Sequence, residues 1–366
     1  MSGPDGGKRS GDGEQPSIHY AHDATVCDML VGICDFPALY AFPPKGYAGI
    51  ERWLWAAAVG ARRSGAVVHL IGEQWRPELA TDWPIQRARL EDLSGPQLAR
   101  LRSAGYDLLI AWHEYPARSA WRDVWRSLDC DVAAFQHGSN MQHPAGTFDG
   151  VGSRLYCYSP EMMALYADQH PRAELAVHQG LNEEEPPARD GQHLVWVGRV
   201  DAVKAPHLAV MAAERLGLRI RIAGPVFDTA YLERHRRLFS AAHVELVGEV
   251  GGAAKTAEFH QGRVFVYTCA RDYVEAGAAV FGEALRAGTP VAALAWRPGT
   301  CAEAALCADT GRVAHVDPDA SDDQAATALT AAIEQAATLR AAAVQEVGMM
   351  RFDPVRHFNV LALRST

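Results

Sequence analysis

Residues 267–290 read YTCARDYVEAGAAVFGEALRAGTP. The apolar run Val264–Tyr267 is a short buried strand, the next stretch is a loop holding Glu275, and Ala279–Ala287 is a helix carrying Glu283. The small residues Ala276–Ala279 open that helix. Small side chains at a helix start let backbone N–H groups approach an anion, and the helix dipole favours negative charge there. Glu283 lies just over one turn inside, within reach of a sugar next to a phosphate held at the helix start. A carboxylate accepts two hydroxyl hydrogen bonds, which suits a ribose diol. Glu275, on the preceding loop, would face the hydroxyls of a second sugar. Two glutamates at this spacing also occur as solvated surface residues.

Moving towards the N-terminus, residues 193–224 read HLVWVGRVDAVKAPHLAVMAAERLGLRIRIAG. This is a strand, then Gly198 and Arg199, then Lys204, a helix over Pro206–Leu216 and a strand ending at Gly224. Two cations in one strand-to-helix loop make a small positive pocket for a diphosphate, the guanidinium as a planar fork and the ammonium as a point charge. Arg and Lys in such a loop can equally be solvated.

The same alternation of apolar runs and amphipathic segments extends over the whole chain, the βαβα pattern of a parallel sheet covered by helices. In the front half the strands are Met29–Cys34, Val67–Gly72, Asp107–Trp112, Val132–Gln136 and Arg154–Tyr158, with a helix at Gly49–Arg63 that Gly65 is placed to end. The polar stretch NEEEPPARDG, 182–191, reads as a linker. Behind it come His193–Gly198, Arg219–Ala223, a helix at Ala230–Ser240, Val244–Val247, Pro290–Ala293 and a long Ala-rich helix at Asp322–Val347. The expected fold is α/β, two Rossmann-like doubly wound domains facing across a cleft, with ligands beyond the carboxyl ends of the strands. Its divisions are a disordered tail at 1–17, a front domain at 18–185, a back domain at 186–348, and a segment at 349–366 that packs back on the front domain.

The 366 residues suffice for two domains of ordinary size. Residues 1–17 are Gly/Ser-rich with no apolar run, and no later segment approaches 18 continuous apolar residues. The expectation is a cytoplasmic protein with no transmembrane segment. Seven scattered cysteines, with no C-x-x-C pair, argue for reduced thiols and no zinc site. The net charge of −9 disfavours nucleic acid as a partner. Between residues 18 and 185 stand 14 Lys and Arg against 21 Asp and Glu, so the front half is itself acidic.

Taken in order, Gly198-Arg199-x4-Lys204, Gly248-Glu249-Val250, Glu275-x7-Glu283 and Ala287-Gly288-Thr289-Pro290-Val291 resemble the family-4 (GT4) retaining glycosyltransferases of the GT-B fold. The resemblance covers essentially the whole back half. It implies that Arg199 and Lys204 hold the donor diphosphate, that Glu283 binds the ribose and Glu275 the donor sugar, and that the backbone from Gly277 through Ala278, Ala279 and Val280 holds phosphate. By the same resemblance Gly198 lies in the donor site and the Gly248–Glu249–Val250 loop sits against the base. One departure is Ala205, where the family has glycine after the lysine; another is Ala279-Val280 ahead of Phe281-Gly282. In the front half, GYAGIERWLW (46–55) resembles the family's glycine-rich loop, with Gly49 as the remaining close-approach position. His137, directly after a strand, resembles a histidine placed near the donor sugar, although a lone histidine there can be structural.

His113 and Glu114 follow the third strand and are acceptor-side candidates, or an ordinary structural pair. Trp121 and Trp125, with Arg118, Arg122 and Arg126, give an aromatic stripe beside a basic one. Core packing and a membrane or carrier-protein contact both fit it. The resulting expectation is a retaining, metal-independent transfer of a hexosyl group from a nucleotide sugar, UDP-linked on family frequency, to a small-molecule or carrier-bound acceptor. No cofactor is expected and no D-x-D-type pair is placed for a metal. An epimerase or phosphorylase on the same fold, or a non-catalytic nucleotide-sugar-binding subunit, are the competing readings.

Overall fold

A computed structural model of the chain describes residues 28–38, 40–45, 49–90, 93–112, 127–139, 153–167, 174–175, 180–181 and 185–365. His113, Glu114, the Trp121/Trp125 stripe and the first seventeen residues lie outside the described residues.

The front lobe is built on a parallel sheet of order β3-β2-β1-β4-β5-β6-β7. Its strands are β1 Leu30–Cys34, β2 Val67–Ile71, β3 Ile85–Gln86, β4 Leu108–Trp112, β5 Asp131–Phe135, β6 Ser153–Cys157 and β7 Glu174–Leu175. The back lobe carries a second parallel sheet of order β10-β9-β8-β11-β12-β13. Its strands are β8 His193–Val197, β9 Ile220–Ala223, β10 Val244–Gly248, β11 Gly262–Tyr267, β12 Val291–Ala295 and β13 Gly311–His315. Strands covered on both faces become near-continuous apolar runs; β12, VAALA, is buried at every position.

Helices connect the parallel strands. α1, Gly49–Arg63, buries Trp53, Leu54 and the alanines that follow against the front sheet, and the chain turns at Gly65 with φ 94°. α2, Gly95–Ala104, starts in a capping box between Ser94 and Gln97. Next come α3, Pro160–Tyr166, α4, Pro206–Leu216, α5, Gly252–Gln261, α6, Ala279–Arg286, and α7, Cys301–Ala305.

Two expected helices are broken. Ala230–Ser240 is split into Thr229–Arg234 and Arg236–Phe239 at His235, whose ring stacks on His207 at 4.3 Å. The Ala-rich segment divides into α8, Asp322–Ala336, and α9, Ala341–Arg351. Arg263 donates to the carbonyl of Ala337, and Asp190 accepts from the Ala341 amide at 3.3 Å, so tertiary partners take the groups that a continuous helix would use.

α10, Pro354–Ser365, returns to the front lobe. Phe358, Leu361 and Ala362 join the front core, and a Cβ added to Gly60 of α1 would stand 2.1 Å from the carbonyl oxygen of Pro354. The chain thus crosses between lobes twice. The two crossings are tied together where the Leu181 amide donates to the Phe352 carbonyl at 3.0 Å.

Among the described residues no helix is long and apolar enough to cross a membrane. The six described cysteines are free. Burial pushes the Cys157 thiol up to about 12, far from the thiolate form.

Candidate functional site

A cavity of about 320 Å³ opens at the carboxyl end of the back sheet, facing α1 and the end of β5. Gly198 and Lys204 reach it from the loop after β8, and Glu275, Gly277, Ala278, Ala279, Val280 and Glu283 from the segment joining β11 to α6. Gly49, at the start of α1, and His137, just past β5, line it from the front lobe. Ten positions singled out in the sequence therefore share one space.

The β8 loop is shaped by Asp201. Its Oδ1 accepts from the Lys204 amide at 2.8 Å, and its Oδ2 lies 3.4 Å from Arg199 Nε. Thr268, at the end of β11, donates to the Lys204 and Ala205 carbonyls at 2.8 and 3.1 Å and accepts from the Trp196 indole at 3.0 Å. Ala205, in the place of the family's glycine, has φ 45° and is buried, so this departure keeps the left-handed backbone at a steric cost.

Lys204 Nζ is paired with Glu275 Oε2, and both side chains are largely buried. Burial, the largest single influence, would drive the lysine pKa down; the Glu275 charge, the Tyr273 phenol and the hydrogen bond to Glu275 together outweigh it, so the ammonium is held above its ordinary value and stays charged. The Tyr267 hydroxyl donates to the same carboxylate oxygen at 3.1 Å. Burial, and then the Glu275 charge, push that phenol well above its usual pKa, which keeps it a donor. Lys204 also sits over the Tyr273 ring at 4.9 Å.

Glu283 is bracketed by two cations. Lys255 Nζ of α5 lies 2.5 Å from its Oε2, and Arg52 Nη1 of α1 lies 3.9 Å from its Oε1, the latter pair crossing between lobes. α6 is anchored beneath it by Phe281, Ala284 and Leu285, all fully buried. Ala278, the N-cap, supplies no side-chain cap to the first turn of α6. The lobes meet closely here: a Cβ at Gly277 would fall 2.7 Å from ring carbons of Tyr158 in the front lobe. His137 lies against Trp53, with ring centroids 4.6 Å apart, and against Tyr158 at 5.4 Å.

Other expected contacts are not brought into this space. The Arg199 side chain, 35% exposed, rests on Asp201 and over the Phe227 ring at 5.2 Å, although its neighbour Gly198 lines the cavity. Gly248, the last residue of β10, and Glu249 after it are exposed, and Val250 packs against the back core. Conversely, Lys255, Tyr267, Thr268 and Trp196 line the cavity without having been singled out. For Lys255 the available signal was a lone cation among small residues, GGAAKTA, one turn after the Gly248–Val250 loop.

A larger cavity of about 980 Å³ lies on the outer face of α5, lined by Lys45, Arg52, Arg189 and His260 among others. It contains neither lysine–glutamate pair. Converging ionic groups, and not volume, mark the smaller cavity as the chemical site. Among the described residues no three His, Cys, Asp or Glu side chains gather where they could hold a metal ion.

Residues 181–346 match the sequence family described as glycosyl transferases group 1. Solved structures of similar fold include AviGT4, a glycosyltransferase involved in avilamycin A biosynthesis, with a TM-score of 0.66 at 19% identity over 92% of this chain and 97% of that one. Anabaena Alr3699/HepE in complex with UDP-glucose gives 0.62 at 16% identity over 92% and 99%. WaaG, a glycosyltransferase involved in lipopolysaccharide biosynthesis, gives 0.59 at 16% identity over 92% and 99%. No curated protein sequence matches the chain. At these identities the likeness to solved structures is one of fold.

Proposed function

We propose that this chain, a glycosyltransferase of the GT-B fold whose C-terminal half belongs to the group 1 glycosyl transferases, moves a hexosyl group from a UDP-sugar to a soluble acceptor. Transfer proceeds with retention at the anomeric carbon and without a metal. The observation that carries the proposal is the convergence of Lys204 with Glu275 and Lys255 with Glu283 on the uncapped start of α6.

Breaking a glycosyl–phosphate bond builds negative charge on the departing nucleotide and positive charge on the sugar ring. Lys204, Arg199 and the α6 amides stabilise the first charge as it grows, a preorganised electrostatic contribution. Donor arrival separates Lys204 from Glu275: the ammonium turns to the diphosphate, and the carboxylate accepts from the sugar's hydroxyls. Arg199 joins by leaving Asp201. Glu283 takes the ribose, and His137 faces the donor sugar. The leaving phosphate assists attack from its own face, so no protein nucleophile is required.

Two resemblances support the choice of substrates. One structure of this fold holds UDP-glucose, and another belongs to avilamycin A biosynthesis, in line with a specialised metabolite as acceptor. The domain extents that go with this reading are 18–185 for the acceptor side and 186–348 for the donor side, in a cytoplasmic enzyme.

The test is a thermal-shift screen of UDP-glucose, UDP-N-acetylglucosamine and GDP-mannose in excess EDTA, followed by transfer assays in which NMR reads the anomeric configuration of the product. Stabilisation by mass action and a retained configuration are expected. Conversion of donor without any acceptor would instead indicate an epimerase, and binding without transfer across a broad acceptor panel a non-catalytic subunit.

A further inference from the structure

We propose that Lys255 is a positioning residue for donor recognition: it fixes the Glu283 carboxylate so that its free lone pairs accept from the vicinal diol of a ribonucleotide. The inference rests on the donor reading above and assigns a role to a residue outside the motifs that led to it.

The geometry leaves both partners little freedom. Lys255 sits in the second turn of α5, and one turn further along Glu258 holds the helix to the sheet through a two-pronged pair with Arg221 of β9, at 2.8 and 2.9 Å. Phe259 next to it is buried edge-on against Phe265 at 5.4 Å. Glu283 projects from α6, which Phe281 and Ala284 pin from beneath. The ammonium and the carboxylate, 13% and 11% exposed, are therefore presented to each other by two anchored helices across 2.5 Å. Two charges so withdrawn from water cost stability unless paired, and exchanging such a pair for apolar side chains is commonly neutral or stabilising. A pair retained on the wall of the donor cavity points to recognition.

The chemistry follows from the lone pairs. A carboxylate offers about four acceptor sites, and a lysine ammonium only donates. With Oε2 in ion-pair contact with Lys255, the carboxylate is held in one orientation, and two hydroxyls in a cis-diol can donate to the sites that remain. A nucleotide lacking one hydroxyl leaves one of those sites unmatched on a carboxylate only 11% exposed, the circumstance in which hydrogen-bonded selectivity is large. The base plays no part, so the preference applies to ribonucleoside diphosphates as a class.

The experiment titrates the full-length protein with UDP and 2′-deoxy-UDP, with GDP in parallel, for the wild type, Lys255→Met, Lys255→Arg, Glu283→Gln and the Lys255→Met/Glu283→Gln pair. The wild type is expected to bind UDP at least about 10-fold more tightly than its deoxy analogue. Lys255→Met weakens UDP by about 10-fold and brings the two ligands within about 2-fold of each other; Lys255→Arg restores most of the preference. The double variant is no worse than Glu283→Gln alone, the signature of residues acting as a unit. In turnover the loss falls on the donor KM with kcat nearly unchanged. Lys255→Met that keeps wild-type UDP affinity and the wild-type diol preference overturns this role and leaves the donor site standing. A wild-type protein that binds neither UDP nor GDP overturns the donor site and this role together.

Discussion

Arg297 of the back lobe places its Nε 2.6 Å from Oε1 of Glu161 in the front lobe. The same guanidinium donates to the carbonyls of Arg271 and, at 3.1 Å, Tyr273. One side chain therefore fastens the lobes together and holds the loop that presents Glu275. Arg297→Met should lower stability by about 1.5–3 kcal/mol, the range for a hydrogen bond to a charged group, and kcat/KM by about 10-fold through the loosened loop. Urea titration and donor kinetics on the same preparation check both numbers. A variant with full activity and reduced stability would make the contact a fastening only.

If Lys204 stabilises the departing phosphate as proposed, Lys204→Ala should cut kcat by about 10²-fold or more, comparable to loss of a strong oxyanion contact. Arg199→Ala should cost a similar factor once its guanidinium leaves Asp201 for the donor. Steady-state turnover of each variant checks the pair. A variant that turns over at the wild-type rate removes its residue from the mechanism.

Gly277→Ala places a methyl group 2.7 Å from the Tyr158 ring, at the point where the lobes meet and α6 begins. Tyr158 is fully buried and cannot swing aside cheaply. The expected outcome is a fall in kcat/KM of about 10–100-fold from misplacement of the α6 amides, with far-UV circular dichroism unchanged.

Ala205→Gly should stabilise the protein by up to about 1 kcal/mol, because the left-handed conformation costs an L-residue about 1–2 kcal/mol and glycine returns part of that through a freer unfolded chain. A higher urea midpoint at constant m-value reads the effect.

Acid should destabilise this protein before its carboxylates titrate. His69, His193, His207, His235 and His260 all have pKa values held below the ordinary 6.5, in each case chiefly by burial. Below 6.5 the unfolded chain takes up protons that the folded chain refuses, so stability falls as pH drops from about 7. Each group contributes at most about 1.4 kcal/mol per pH unit within its window. His207, between Tyr231 at 2.7 Å, Asp322 at 3.3 Å and the stacked His235, is the most hemmed in. His207→Gln should flatten the slope measured by urea unfolding between pH 5 and pH 7.

The strands and the helices at Gly49–Arg63 and Pro206–Leu216 were legible because parallel strands buried on both faces leave unbroken apolar runs, which glycines and prolines punctuate. β13, Gly311–His315, has no such run: it is an edge strand, GRVAH, with an arginine and a histidine among its five residues. α2 has the Ser94–Gln97 box to mark its start but only one fully buried side chain, Leu101, to mark its face. The break at Ala337–Arg340 had no local signal, since neither glycine nor proline lies in it and its cause is Arg263, 74 residues away.

Within the site, residues clustered along one strand-to-helix unit, such as Glu275 and Glu283, could be found by spacing. Lys255 could not, because its partner lies on a different helix and only the packing of α5 against α6 brings them together. The direction taken by Arg199 was also hidden, being decided by Asp201 and Phe227.

The paired crossings at Leu181 and Phe352 have an architectural consequence. Because the outgoing and returning segments meet there, the back lobe is a cassette spliced into the front one, and both ends of the described chain belong to the host. Such a cassette can be lifted out as one piece, its ends already apposed, leaving a gap that a short linker closes. Exchange of the whole back lobe for that of a relative would then leave the host sheet and its core in their own shape.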